Sequence, residues 1–286
     1  MNNLFKLKSF LNFGWQQAMS CLFPAYIFAM LALTKIIDIP FMHRYDFLLL
    51  VCILAQVLMI RFGLETMDEC KVICVFHLIG LALEIFKIHM GSWAYPEDGW
   101  SKIFGVPLYS GFMYASVASY LCQAWRRLQV KVNRYPSAWF TIPLGAAIYF
   151  NFMTHHFIYD LRWLLVILLF VIFFRTYVEY TVLGVTRRMP LVLSFFLIGF
   201  FIWVAENIGT FLGAWYYPHQ TNGWDLVKWG KFSSWFLLVI VSFMIVAHLK
   251  HVKGGHFKRN SHNRFNESTF QTKTQPLNTK AKNLEP

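Results

Sequence analysis

The stretch KVICVFHLIGLALEIFKIHMGSWAYP, residues 71–96, decides how this chain is read. Lys71 through Leu83 has the apolar character of a membrane helix, and Glu84 continues the same run. Gly91 follows seven residues later, and then Trp93, Tyr95 and Pro96. At 1.5 Å per residue the carboxylate lies about 10 Å below the helix end. A short side chain cannot snorkel that far, so the acid must be neutralised, paired or wetted, and an acid so placed is a functional candidate.

The whole chain shares this character. Of its 286 residues 57% are hydrophobic and 14% charged, with mean hydropathy +0.46. Soluble domains carry roughly 25% charge, so the composition is that of a polytopic membrane protein. The net charge of +12 resides in loops and a tail, with no basic stripe interleaved with exposed aromatics. Positive-inside topology explains it, and nucleic acid is excluded as a partner. Cys21, Cys52, Cys70, Cys74 and Cys122 sit in or beside apolar runs and read as free thiols.

Spans of about 20 apolar residues are expected at 20–37, 45–62, 71–90, 106–124, 137–154, 160–178, 189–212 and 231–249. The expected fold is all-α: a bundle of about eight transmembrane helices in two parallel four-helix repeats, with no strands. Residues 1–19 form an interfacial amphipathic lead-in, and 20–125 the first repeat. A cytoplasmic linker at 126–136 leads to the second repeat at 137–252, and a disordered basic tail fills 253–286. With a cytoplasmic N-terminus, 19 of the 26 Lys and Arg fall in inner segments and 7 in outer ones, so both termini are expected in the cytoplasm.

Twelve of the 14 acids sit in loops, helix ends or the tail, leaving Glu84 and Glu206 inside apolar helices. These two are related. EIFKIHMGSWAYP (84–96) aligns with ENIGTFLGAWYYP (206–218), and Glu, Gly, Trp, Tyr and Pro coincide at an offset of 122. Helical repeats of even number keep one orientation, so both elements end on the same outer face. A Trp/Tyr/Pro cluster at a helix end also serves as an interfacial belt, and the acids could pair with Lys87, Arg162 or a histidine.

The segments FHLIGLALEIFKIHMGSWAYPE, GVPLYSGFMY, NFMTHHFIYDLRW and RRMPLVLSFFLIGFFIWVAEN together resemble the YoaT-like family of bacterial integral membrane proteins, a family defined by a domain of unknown function. The resemblance spans about residues 10–250. It implies a multi-pass protein of the bacterial cytoplasmic (inner) membrane and supplies no activity. More remotely, a Glu followed by Gly and aromatics in two halves resembles carotenoid hydratases and lycopene cyclases.

Three functions fit the residue types. A carboxylic acid kept protonated in an apolar site can protonate an alkene or leaving group. Trp93, Tyr95, Trp215 and Tyr217 would then face the resulting cation. This reading makes Glu84 and Glu206 catalytic and the substrate a lipid or isoprenoid, and the aromatic content leans toward it. Two acids near a pseudo-two-fold axis can instead serve a proton- or cation-coupled transporter. A structural or lipid-binding protein is the third. His155, His156, Asp160 and Arg162 are expected to line the entrance, with Asn207 beside Glu206 in the site. The histidines face about 100° apart on a helix, so a hydrogen-bonded rim is favoured over a metal site, and no cofactor is expected. Cys70, Cys74 and His77 share one helical face and read as core packing. The partners expected are the lipid bilayer and, on the enzyme reading, a lipid or isoprenoid ligand, and the oligomeric state is left open.

Overall fold

The computed structural model describes residues 3–247. Its helices are α1 (Asn3–Ser20), α2 (Leu22–Ile36), α3 (Arg44–Arg61), α4 (Met67–His89), α5 (Ser110–Arg127), α6 (Ala138–Thr154), α7 (Arg162–Phe173) and α8 (Leu191–Phe211). A ninth, α9, covers Gly230–Ala247. Each of the eight apolar segments therefore contains a helix. Three of these helices, α4, α8 and α9, are long and apolar enough to cross a membrane, and α1 with α2, bent by 64°, makes a fourth candidate. Met67 to Ala247 lies in the described range, whereas the expected tail at 253–286 lies outside it. One compact unit holds Met1–Val246; the second, Ala247–Pro286, is described only at its first residue.

The chain is mostly helical but not all-α. Strands β1 (Lys102–Ile103) and β2 (Val106–Pro107) form a hairpin, and β3 (Lys131–Asn133), β4 (Tyr177–Val182) and β5 (Val185–Pro190) form an antiparallel sheet in that order. The segment expected as a span over 160–178 is thus helical only from Arg162 to Phe173, then becomes strand. Its β-branched and aromatic run, YVEYTV, pairs with VTRRMP across Leu183–Gly184, both in the left-handed region (φ 50° and 76°). That is the backbone of a two-residue hairpin turn whose twist matches its strands. Likewise α5 starts at Ser110 rather than 106, because Phe104–Gly105 turns the β1–β2 hairpin first. The α7 helix of 12 residues reaches only about 18 Å.

Contacts sort the loops into two ends. At one end Arg187 donates to Ser9 of α1, Phe13 packs on Tyr180, and Thr181 N–H donates to Leu128. The α4 helix begins here with a capping box, Thr66 accepting from Glu69 N–H and Glu69 from Thr66 N–H. Glu65 is buried beside it and accepts from Gln56 and Ser119. At the opposite end Arg44 donates to Thr34, Glu97 and the carbonyls of Leu31, Leu212 and Gly213. This guanidinium fastens the starts and stops of α2, α3 and α8 together. Between the ends, Leu50, Ile53, Leu54, Trp163, Ile167, Phe170 and Phe201 are exposed on α3, α7 and α8. Apolar surface on that scale marks contact with a membrane or partner.

Small residues set the closest helix approach. A Cβ at Gly80 of α4 would stand 2.4 Å from the Tyr114 ring of α5, and one at Gly111 would stand 2.7 Å from His77. The two helices are therefore in near-backbone contact, which brings Tyr114 alongside the turn that carries Glu84.

Candidate functional site

The spacing inside the duplicated element has a mechanical cause. Gly91 and Gly213 are both left-handed (φ 64° and 73°), and each ends its helix in a Schellman cap. In the first copy Gly91 N–H reaches Ile88 O and Ser92 N–H reaches Lys87 O, both at 2.9 Å. In the second, Gly213 N–H reaches Thr210 O and Ala214 N–H reaches Gly209 O, both at 3.0 Å. The cap turns the chain back along its own helix, so aromatics downstream of the glycine can fold over the glutamate upstream of it.

They do so in both copies. Glu84 accepts from Trp93 Nε1 at 2.7 Å, Tyr95 Oη at 3.0 Å and Tyr114 Oη at 2.9 Å. Glu206 accepts from Tyr217 and from Trp235 Nε1, the latter at 2.5 Å. Tyr95 and Tyr217 occupy matching motif positions. Burial, and then the neighbouring glutamate, pushes both phenols well above their ordinary range, so they act as donors. Among the described residues neither glutamate is in an ion pair. The side chains that donate hydrogen bonds to them are all neutral aromatics.

The copies also touch each other. Ala94 and Tyr216, equivalent at the offset of 122, form an antiparallel bridge in which each N–H donates to the other carbonyl at 3.0 Å. The exchange of both bonds is the ordinary hydrogen-bonded pair of an antiparallel bridge, here joining two positions that the motif alignment makes equivalent. Around it the Trp93 and Tyr217 rings meet edge-on at 5.9 Å, and Tyr114 and Trp235 lie 6.2 Å apart. The two carboxylates thus belong to one continuous aromatic cluster. The surroundings of the two acids differ: Trp215 packs across Gly209, where a Cβ would come within 2.5 Å, and Glu206 takes its indole from α9 instead.

Other expected site residues have different work. Asn207 accepts from Val227 N–H at 2.9 Å and donates to Trp203 O at 2.8 Å, clasping the loop before α9. Asp160 accepts from Asn151 at 3.1 Å and from Arg162 Nε at 2.6 Å, while Arg162 also donates to Gly230 O at 3.0 Å. Burial pushes Asp160 upward, but the bonds from Asn151 and Arg162 prevail and hold it below the usual carboxylate range. These residues tie α6, α7 and α9 together. His156 instead meets Lys87, Nε2 to Nζ 3.2 Å, and His155 contacts the Phe152 carbonyl at 3.0 Å. Burial, and then the Lys87 charge, lowers both imidazoles. A neutral His156 is thereby available as acceptor for the ammonium. Lys87 spends its remaining reach on Phe152 O at 2.8 Å, so it does not neutralise Glu84.

Reading the sequence alone missed Tyr114, Trp235 and Lys231. Tyr114 lies 30 residues past Glu84, and Trp235 lies 29 past Glu206. That near-match was the available signal, one residue out of register with the motif. Lys231 is one of the seven Lys and Arg expected in outer segments, and no motif around it singles it out.

The model of a family described as "Protein of unknown function (DUF817)" matches residues 9–243. The chain belongs to the DUF817 family. It is 66% identical over 247 residues to a Bacillus subtilis (strain 168) protein named "Uncharacterized protein YoaT", covering 86% of this chain and 94% of that protein. No solved structure matches. The DUF817 match encloses both copies of the motif and every residue of the aromatic cluster. No activity accompanies the family description, so the chemistry rests on the geometry above.

Proposed function

We propose that this protein is a proton- or cation-coupled transporter of the bacterial cytoplasmic membrane, with Glu84 and Glu206 as its coupling pair. The observation that carries this reading is the convergence of two buried carboxylates, each hydrogen-bonded by neutral donors, on one bridge between the two motifs. A carboxylate with neutral partners can gain or lose a proton without breaking an ion pair, which suits a relay. The membrane topology goes with it: eight spans in two parallel repeats and both termini cytoplasmic. That topology is supported by the contacts that gather the Lys- and Arg-rich segments at one end and the two motifs at the other.

An acid–base enzyme acting on an isoprenoid is less economical. Beside Tyr114 and Trp235, the cavity that also meets Leu83, Tyr149 and Ser242 has a volume of about 30 Å³. That accommodates a water, not a polyene. The test is proton flux in proteoliposomes under an imposed pH gradient. Flux by wild type, abolished in Glu84→Gln and Glu206→Gln, supports transport; unchanged flux in both variants, together with a wild-type-dependent change in lipid or pigment products, supports the enzyme.

A further inference from the structure

Lys231, in the first turn of α9, extends its ammonium into the corner between the two motif aromatics. Its Nζ lies 4.9 Å from the Trp93 ring centroid and 4.7 Å from that of Tyr217. The rings stand at 77°, so they form two walls around the charge. Both distances are within the roughly 6 Å over which a cation is attracted to a ring face. Each ring also donates its polar hydrogen to a glutamate, Trp93 to Glu84 and Tyr217 to Glu206. Donation toward an acceptor polarises the ring, and a negative carboxylate behind each wall adds to the field at the corner.

The two lysines of this region differ in how they are held. Lys87 has a backbone carbonyl and His156 as acceptors. The Lys231 ammonium has the two ring faces, and among the described residues it forms neither an ion pair nor a hydrogen bond. Ring faces and the more distant pull of Glu206 and Glu84 hold this flexible four-carbon stem, so it can leave without breaking a hydrogen bond or a close ion pair.

We propose that Lys231 is a tethered occupant of a site for small organic ammonium compounds, formed by Trp93 and Tyr217 and backed by Glu84 and Glu206. When the lysine withdraws, an alkylammonium ion takes its place. The proposal names the substrate class for the transport reading and rests on it for its role, although binding is measurable without transport. The lysine acts as an intramolecular competitor at an effective concentration in the millimolar range, so wild-type affinity is weak and removal of the ammonium strengthens it.

The test uses the full chain in nanodiscs of phosphatidylglycerol, which carries no ammonium headgroup. Methylammonium and tetramethylammonium are titrated by calorimetry against neutral 3,3-dimethyl-1-butanol. Lys231→Ala is expected to bind tetramethylammonium about tenfold tighter than wild type, by loss of the tethered competitor. Lys231→Met, which refills the corner without charge, should show no such gain. Adding phosphatidylethanolamine should weaken binding only if lipid headgroups are the competing source; no effect assigns the site to soluble amines. Trp93→Leu should abolish the weak wild-type binding, which provides a second arm if Lys231→Ala does not fold. Lack of ammonium-specific binding in both wild type and Lys231→Ala, or equal binding of the neutral alcohol, overturns the proposal. If proton flux still depends on the glutamates in that case, the transport reading survives without the cage. If ammonium binds but flux ignores both glutamates, the cage survives and the transport reading falls.

Discussion

Replacing Gly80 with alanine should pry Tyr114 away from Glu84. The new Cβ would lie 2.4 Å, 2.5 Å and 2.6 Å from three atoms of the Tyr114 side chain. Carbon pairs settle near 3.5–4.0 Å, so the ring or its helix must retreat by about 1 Å or more. The Tyr114 hydroxyl now donates to Glu84 over 2.9 Å, and that retreat breaks the bond. Overpacking of this kind costs about 1–3 kcal/mol, whereas a single hydrogen bond in a membrane protein averages about 0.6 kcal/mol. The steric term therefore dominates. A double-mutant cycle separates the two terms through thermal or denaturant unfolding in micelles. Gly80→Ala should destabilise by about 2 kcal/mol with Tyr114 present, and by much less on a Tyr114→Ala background, where the clash has been removed. Tyr114→Phe alone should cost under about 1 kcal/mol. Equal losses from Gly80→Ala on both backgrounds would refute the packing argument, because the cost would then not pass through the Tyr114 ring.

Removing the guanidinium in Arg44→Ala takes the donor from the part-buried carbonyls of Leu31, Leu212 and Gly213 at a position where the arginine side chain is only 11% exposed, so a loss of about 2–3 kcal/mol is expected in unfolding experiments. Arg44→Lys should recover only a minor part, since a point charge cannot serve five acceptors at once. Stability should also fall on acidification. His155 and His156 have folded-state pKa values below the ordinary 6.5, so the unfolded chain binds protons that the native chain refuses. The histidine-linked stability is present above about pH 6.5 and declines as pH drops below it. A His155→Gln/His156→Gln variant should show a flatter midpoint-against-pH curve through that window; an unchanged slope would remove the histidines from the account.

How far the sequence carried depends on which residues act locally. The glutamate, the glycine seven residues on, and the Trp and Tyr beyond it are legible because one Schellman cap connects them all. Glu84 and Glu206 stood out because acids inside apolar runs are costly. The sheet was hidden because Tyr177 and Val178 read as the end of the α7 span across Arg175 and Thr176, although Arg175, Glu179 and the Leu183–Gly184 turn mark the change from helix to strand. Tyr114 and Trp235 were missed because their contact with the glutamates is made across helices, through an approach set by Gly80 that no linear pattern records. Asp160, Arg162 and Asn207 matched polar site chemistry by type, and their bonds go to backbone, to Asn151 and Ser233, and between Asp160 and Arg162.

The central claim is that the two motifs meet at the Ala94–Tyr216 bridge, and a cross-link across it tests that most directly. Ala94 and Tyr216 exchange both backbone hydrogen bonds, which sets equivalent Cα atoms about 5.5 Å apart, within reach of a disulfide. In a background whose five cysteines are replaced by alanine, Ala94→Cys/Tyr216→Cys should form an intramolecular disulfide under mild oxidation. A protease site placed in the 126–136 linker would then leave the halves joined without reductant and separated with it. Failure to cross-link in folded protein, when both thiols are shown to be reactive, would mean that the motifs lie apart and that Glu84 and Glu206 do not share a site.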